Sequence, residues 1–197
     1  MHVYILFAHP SQKSFNRAVL EAFTRGLRDS GHTYEIGDLY EMGFNSEMDV
    51  EQYEREVGLN LKAPIPTDVK IEQKKIDTAD ALAFIYPVWW SDCPAKLKGW
   101  FDRVLTYGYA YFYNENEERF TEIEIKKAIV ICSAGHTLKH LEETGIAESM
   151  KRIMLNDRLL GVGVKEARME ILAGMMPKDD TYRQENLEKA YNIGNNL

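Results

Sequence analysis

The sequence predicts an α/β protein: a doubly wound, five-stranded parallel sheet with helices on both faces. Three observations lead there. Short runs rich in β-branched and aromatic residues alternate with longer amphipathic segments along the whole chain. Those runs are apolar throughout, as expected of strands buried on both sides. Turn-forming residues punctuate the passage from one run to the next. Length and composition agree. The 197 residues suit one ordinary domain, read here as 1–197, with no internal repeat and no low-complexity linker. Hydrophobic residues make up 45%, enough for a real core and too many for a disordered chain.

The elements follow in order. Residues 2–8 (HVYILFA) read as the first strand. From Ser14 to about Arg28 the apolar positions Phe15, Ala18, Val19, Ala22, Phe23 and Leu27 recur at three and four. That is an amphipathic helix, closed at Ser30-Gly31. Residues 33–38 read as a second strand, followed by a polar excursion from Leu39 to about Thr67 with a short helix near 50–57. Residues 69–79 are helical, 80–86 (DALAFIY) form the third strand, and a helix follows at about 95–106. An aromatic segment (Tyr107–Tyr113) and a solvated acidic loop (Glu115–Glu118) lead to strand four, KKAIVICSAG, with Gly135 at its exit. A helical pattern follows at about 138–159, residues 162–172 read as strand five, and a helix at about 179–194 closes the chain. Five such strands in a chain of this length indicate a flavodoxin-like fold. Ligands there bind beyond the carboxyl ends of the strands, at the topological switch point. That rule selects three loops: 9–16, 87–94 and 133–140.

Charge and cysteine content narrow the function. The net charge of −7 and pI near 5.3 argue against a nucleic-acid partner. No apolar run reaches the roughly 20 residues of a membrane span. The opening MHVYILFAHP lacks a basic leader and reads as a strand rather than a signal peptide. Cys93 and Cys132 lie far apart without a CxxC motif, which fits a reduced cytoplasmic protein.

Each loop has its own chemistry. In His9-Pro10-Ser11-Gln12-Lys13-Ser14-Phe15-Asn16, the helix start offers free N–H groups and a positive dipole end, suited to phosphate. Ser14 and Asn16 add donors, and His9 and Lys13 add positive charge. Ser14 serves equally well as a simple helix cap. Neither GxxxxGK[ST] nor GxGxxG is present. In Tyr86-Pro87-Val88-Trp89-Trp90-Ser91-Asp92-Cys93-Pro94, adjacent tryptophans at a strand exit point apart and cannot both enter the core. They suit a platform for a planar heterocycle, or an aromatic patch between two subunits. Ser133-Ala134-Gly135-His136 lets backbone approach a ligand closely, or is an ordinary strand–helix turn. His136 and His140 are four apart but lack an HExxH context, so no metal site is expected. The eight methionines read as core filling.

Four stretches carry a resemblance: AHPSQKSFN, DLYEMGFNSEM (38–48), EQKKIDTADALAFIYPVWWSDCPAKLKGWFDRVLTYGYAY (72–111) and the SAG turn. Together they resemble the flavodoxin-like NAD(P)H:quinone oxidoreductases, in colinear order over roughly residues 2–160. The resemblance implies a homodimer with a flavin at each subunit interface. It implies two-electron transfer from NAD(P)H to quinones or similar acceptors, donor and acceptor taking turns in one pocket (ping-pong). FAD is favoured over FMN, because the first loop and residues 38–48 resemble the FAD-using branch and the long excursion would cover the outer half of a dinucleotide. Carried over by position, His9, Ser14, Phe15, Asn16 and Ala18 correspond to the pyrophosphate set. Pro87, Val88, Trp89, Trp90 and Ser91 correspond to the isoalloxazine set. Ser133, Ala134 and Gly135 correspond to the third flavin-facing turn, with His136 in place of a family glycine. The better-known members place a tyrosine and a histidine beyond that turn. Here those positions fall on Leu141 and Ala147, which can donate neither a hydrogen bond nor a proton. His136 and His140 are the candidate catalytic substitutes. Two other readings stay open: a flavin-holding regulatory subunit of the ion-efflux modulator type, and a single-electron flavodoxin. No basic site for a 2′-phosphate distinguishes NADPH from NADH.

Overall fold

A computed structural model describes residues 1–176 and 180–197. Strands β1 (His2–Phe7), β2 (Thr33–Asp38), β3 (Ala81–Pro87), β6 (Lys127–Ser133) and β7 (Glu166–Leu172) form one sheet in the order β2-β1-β3-β6-β7. Every pair is parallel. The chain winds outward from β1 in both directions, so β1 and β3 flank the switch point. Helices are α1 (Phe15–Asp29), α2 (Val50–Val57), α3 (Thr67–Asp77), α4 (Ala95–Val104), α5 (Leu138–Glu143), α6 (Ile146–Lys151) and α7 (Asp180–Asn195). The expected start of the closing helix at Asp179 lies outside the described residues.

Strand periodicity divides the core. Val3, Ile5 and Phe7 of β1 join Ala81, Ala83 and Ile85 of β3 beneath α1 (Val19, Phe23, Leu27) and α7 (Ala190). Tyr4, Leu6, Phe84 and Tyr86 face the opposite layer, beneath Leu97, Trp100 and Phe101 of α4. Both faces are covered, which is why these strands are apolar at every position. On the second face, buried Glu72 of α3 accepts from the Tyr4 hydroxyl, from Trp100 Nε1 (2.8 Å) and from Lys75 Nζ (2.9 Å). The carboxylate is desolvated but fully bonded, the arrangement a buried charge requires.

The excursion after β2 is tied to this second layer. Arg103 of α4, buried, donates to Gln52 Oε1 (3.0 Å), to the Asn45 carbonyl (2.7 Å) and to both Asp68 oxygens. Arg55 of α2 donates to the Tyr107 carbonyl at 3.0 Å.

Three expectations are corrected. The pattern at 138–159 is not one helix: Gly145, at φ 72°, ends α5 and starts α6, and residues Arg152–Asp157 follow as a π-helix. The last strand begins at Glu166, because a 3₁₀ turn at Leu160–Val162 and left-handed Gly163 (φ 100°) precede it. The segment after α4 contains a small antiparallel hairpin, β4 (Phe112–Tyr113) with β5 (Arg119–Phe120), around the exposed acidic loop. Among the described residues no helix is long and apolar enough to cross a membrane.

Helices α1 and α7 meet backbone to backbone. A Cβ on Gly26 would sit 2.1 Å from the Tyr191 carbonyl oxygen, and one on Gly194 would sit 2.2 Å from that of Phe23. Neither obstacle is a flexible side-chain tip, so the helices must separate to admit a methyl group. Gly26→Ala is expected to destabilise the protein by about 1–3 kcal/mol, the usual range for overpacking. A shift of the urea midpoint to lower concentration checks this, and an unchanged midpoint refutes the close packing.

Candidate active site

The three loops converge at the carboxyl edge of β1, β3 and β6. Ser133 joins them: its hydroxyl accepts from Asn16 Nδ2 at 3.0 Å, and its carbonyl accepts from the Val88 N–H at 2.8 Å. The His9 ring lies 6.2 Å from that of Trp89, linking the first loop to the second.

The first loop is a capped helix start. Ser14 accepts from Arg17 N at 3.1 Å, so it is the N-cap. The N–H groups of Phe15 and Asn16 have no intrahelical acceptor and face the loop mouth. Asn16 is buried, and its Oδ1 has no donor among the described residues. An orphaned acceptor at the end of a strand is a place for a ligand hydroxyl or amide. Arg183 of α7 covers the Phe15 ring at 5.2 Å, and half-buried Ala18 sits one turn in. Exposed Lys13 flanks the loop. His9 Nδ1 accepts from the Ser11 N–H at 3.0 Å, so its proton resides on Nε2. Burial lowers the His9 pKa below the ordinary imidazole value of 6.5.

Strain concentrates in the second loop. Trp89 and Asp92 exchange backbone bonds of 3.0 and 3.2 Å across a two-residue turn. Its central residues, Trp90 (φ 49°) and Ser91 (φ 67°), are both left-handed without being glycine. Such residues cost roughly 1–2 kcal/mol each and persist where surroundings impose them. Trp90 is fully exposed, and Trp89 is 43% exposed. The Trp90 and Ser91 N–H groups bond no described residue.

A residue that sequence reasoning missed braces this turn. Arg158 donates through both terminal nitrogens to both Asp92 oxygens, each at 2.9 Å. It also packs over the Phe101 ring at 5.3 Å. Burial works to raise the Asp92 pKa, but the guanidinium and the Cys93 N–H outweigh it and hold the carboxyl below its ordinary range. Only contact across the fold reveals Arg158; in the sequence it is a lone arginine in an apolar stretch.

The third loop is Ala134-Gly135-His136. Ala134 is buried, its carbonyl accepts from Met175 N at 3.0 Å, and the His136 carbonyl accepts from Gly174 N at 2.6 Å. The segment after β7 thus lies along this turn, a fourth neighbour the sequence did not single out. A Cβ on Gly135 would meet Met176 at 3.0 Å, so only glycine fits there without displacement. His136 and His140 are exposed, with ring centroids 4.5 Å apart. Leu141 and Ala147 are core residues, 2% and 3% exposed. Among the described residues no cluster of three or more His, Cys, Asp or Glu side chains could hold a metal.

The profile of proteins with a flavodoxin-like fold matches residues 1–193. The NAD(P)H:quinone oxidoreductase from Methanothermobacter marburgensis is 64% identical, with a TM-score of 0.95, over 100% of this chain and 96% of that one. The chain belongs to the flavodoxin-like NAD(P)H:quinone oxidoreductases. An uncharacterized NAD(P)H oxidoreductase of Haemophilus influenzae is 31% identical over 191 residues, 96% of this chain and 92% of that protein. NAD(P)H dehydrogenase [quinone] 1 of Cavia porcellus is 34% identical over 163 residues, 76% of this chain. The chain spans 59% of that protein's length. The loop cluster lies beyond the carboxyl ends of the strands, where open α/β sheets bind their ligands.

His9 connects the site to pH. Its folded pKa lies below the unfolded value, so the unfolded chain binds the extra proton first as pH falls. Stability is complete above about pH 6.5 and declines below it until the folded pKa is passed. Between pH 7 and pH 5 the wild-type melting temperature is expected to fall further than that of His9→Gln. Equal slopes for the two proteins refute a half-buried neutral imidazole.

Proposed function

We propose that the chain is a flavin-dependent NAD(P)H oxidoreductase. It passes two electrons to quinones or similar acceptors by a ping-pong route, as a homodimer in the cytoplasm. One observation carries the reading: a single residue, Ser133, gathers the helix start, the tryptophan turn and the small-residue turn into one open platform. The 64% identical Methanothermobacter relative, named an NAD(P)H:quinone oxidoreductase, supports the assigned reaction.

The residues present fit a flavin nucleotide. Ser14, Phe15, Asn16 and Ala18, with neutral His9, would hold its phosphate side. Asn16 Oδ1, without a donor among the described residues, would accept a hydroxyl. Pro87, Val88, Trp89, Trp90 and Ser91 would hold the ring, with Ser133, Ala134, Gly135 and His136 at its other edge. Held there, a flavin would supply two-electron redox chemistry. The protein contributes fixed dipoles: the free Trp90 and Ser91 amides are oriented in advance for negative charge arriving in the pocket. The paired imidazoles of His136 and His140, at the solvent side of the third turn, are the groups able to deliver protons. A nicotinamide and a quinone would occupy the same open face in turn.

FAD is inferred over FMN from the first loop and residues 38–48. A second copy of the chain is the inferred cover for Trp90, whose indole is otherwise in water. Cys93 and Cys132 are free and buried, which suits a reducing compartment.

Purified protein is expected to be yellow, to bleach on anaerobic addition of NADH or NADPH, and to release FAD on heating. Colourless protein that takes up neither FAD nor FMN refutes the assignment, and heat-released FMN refutes only the choice of nucleotide. The double variant His136→Ala/His140→Ala is expected to lower kcat for quinone reduction on the order of a hundredfold with little change in KM. Unchanged kcat removes the proton-delivering role and favours a low-turnover, flavin-holding subunit.

A further inference from the structure

We propose that Arg158, acting through Asp92, is a positioning residue that imposes the left-handed conformation of the Trp90-Ser91 turn and so aims its two free amides. The proposal deepens the flavin reading above and rests on it only for the binding measurement below.

Three independent features meet at this contact. First, the turn is strained. Two adjacent non-glycine residues occupy the left-handed region, and one of them is a tryptophan fully exposed in the single chain. An external restraint is therefore required. Second, the restraint is present and well built. Asp92 closes the turn through its backbone, while its carboxylate takes a planar, two-bond grip from Arg158 at 2.9 Å on each side. Arg158 is 9% exposed, lies over Phe101 and reaches Cys93 Sγ at 3.5 Å, so its own position is set by the core. Bidentate geometry fixes orientation as well as distance, which one lysine charge would not. Third, the backbone is modified to deliver the guanidinium. Arg158 follows the π-helix Arg152–Asp157, and its N–H donates to the Ile153 carbonyl, five residues back, at 3.1 Å. A wider turn of this kind rotates the next side chain away from its α-helical direction and recurs at functional sites.

Asp92 also donates its N–H to the Trp89 carbonyl, and the Cys93 N–H bonds Asp92 Oδ1 at 2.7 Å. One carboxylate thus connects a buried cation, the turn backbone and the start of α4. Arg158 itself has no place in the open face, so its action on a bound ring passes through Asp92.

The test uses the full-length protein. In ligand-free protein, Arg158→Met is expected to accelerate hydrogen exchange at the Trp89 and Asp92 amides by about tenfold or more, with α1 and α7 unaffected. Its dissociation constants for FMN and FAD are expected to rise about tenfold, equivalent to about 1.4 kcal/mol. Arg158→Lys, which keeps charge but not the fork, is expected to fall between wild type and Arg158→Met, and decides the question if the methionine variant fails to fold. The discriminating step is Ser91→Gly in the Arg158→Met background. Glycine adopts positive φ without a restraint, so flavin affinity is expected to recover at least in part. A merely destabilising loss elsewhere would not be repaired at position 91. Unchanged exchange in the arginine variants overturns the proposal, as does an affinity loss that Ser91→Gly leaves intact. If wild-type protein binds neither FMN nor FAD, the flavin assignment fails, and the exchange measurement alone decides the clamp.

Discussion

Ser133 ends β6 with two bonds that run in different directions. The hydroxyl receives Asn16 from the first turn of α1, and the carbonyl receives Val88 from the loop after β3. Without them the three loops would be separate exits from three strands. The register behind them matters equally. Pro87 pairs with Ser133 at the end of β3–β6, and Phe7 pairs with Ile85 at the end of β1–β3. The carboxyl ends of the central strands are therefore nearly level, and the platform follows from strand length as much as from loop composition.

Within that platform, rigidity is distributed unevenly. The first loop rests on a Ser14 cap and on α1, whose contact with α7 is too close for a side chain at Gly26 or Gly194. The third is bounded by the segment after β7, which lies along Ala134–His136. Of the three loops, only the second carries left-handed non-glycine residues, and it is braced by an ion pair between buried Arg158 and half-exposed Asp92. Burying the Arg158 guanidinium has an unfavourable desolvation term, and half-exposed Asp92 returns only a screened attraction, so the pair is a poor device for stability alone. Its two-bond geometry is better suited to specifying one conformation of a turn that has no preference for it.

The sequence made legible what repeats with a period. Strands β1 and β3 were evident because both faces are apolar, and α1 because Val19, Phe23 and Leu27 return to one side. The loops were evident from residue types that a core cannot use, such as adjacent tryptophans. What stayed hidden depends on contact between distant positions or on local backbone geometry. Gly145 interrupts an apolar pattern that continues on either side, so periodicity alone joined α5 to α6. Leu160–Val162 is apolar like a strand, yet left-handed Gly163 turns the chain before β7. Arg158 has no motif around it. Its role exists only once the π-helix has brought it to Asp92, 66 positions away.

The burial of Leu141 and Ala147 bears on where protons can enter. Both side chains face the core from α5 and α6, so no substitution of local rotamers brings a donor from those positions to the third turn. Thr137 caps α5 by accepting from His140 N at 3.3 Å, which sets that helix with its His140 side toward solvent. The neighbouring His136 ring lies against it. Proton supply at this edge would then come from imidazoles in contact with water rather than from a buried relay. A buried relay is screened from the medium, whereas the His136 and His140 side chains are exposed to it.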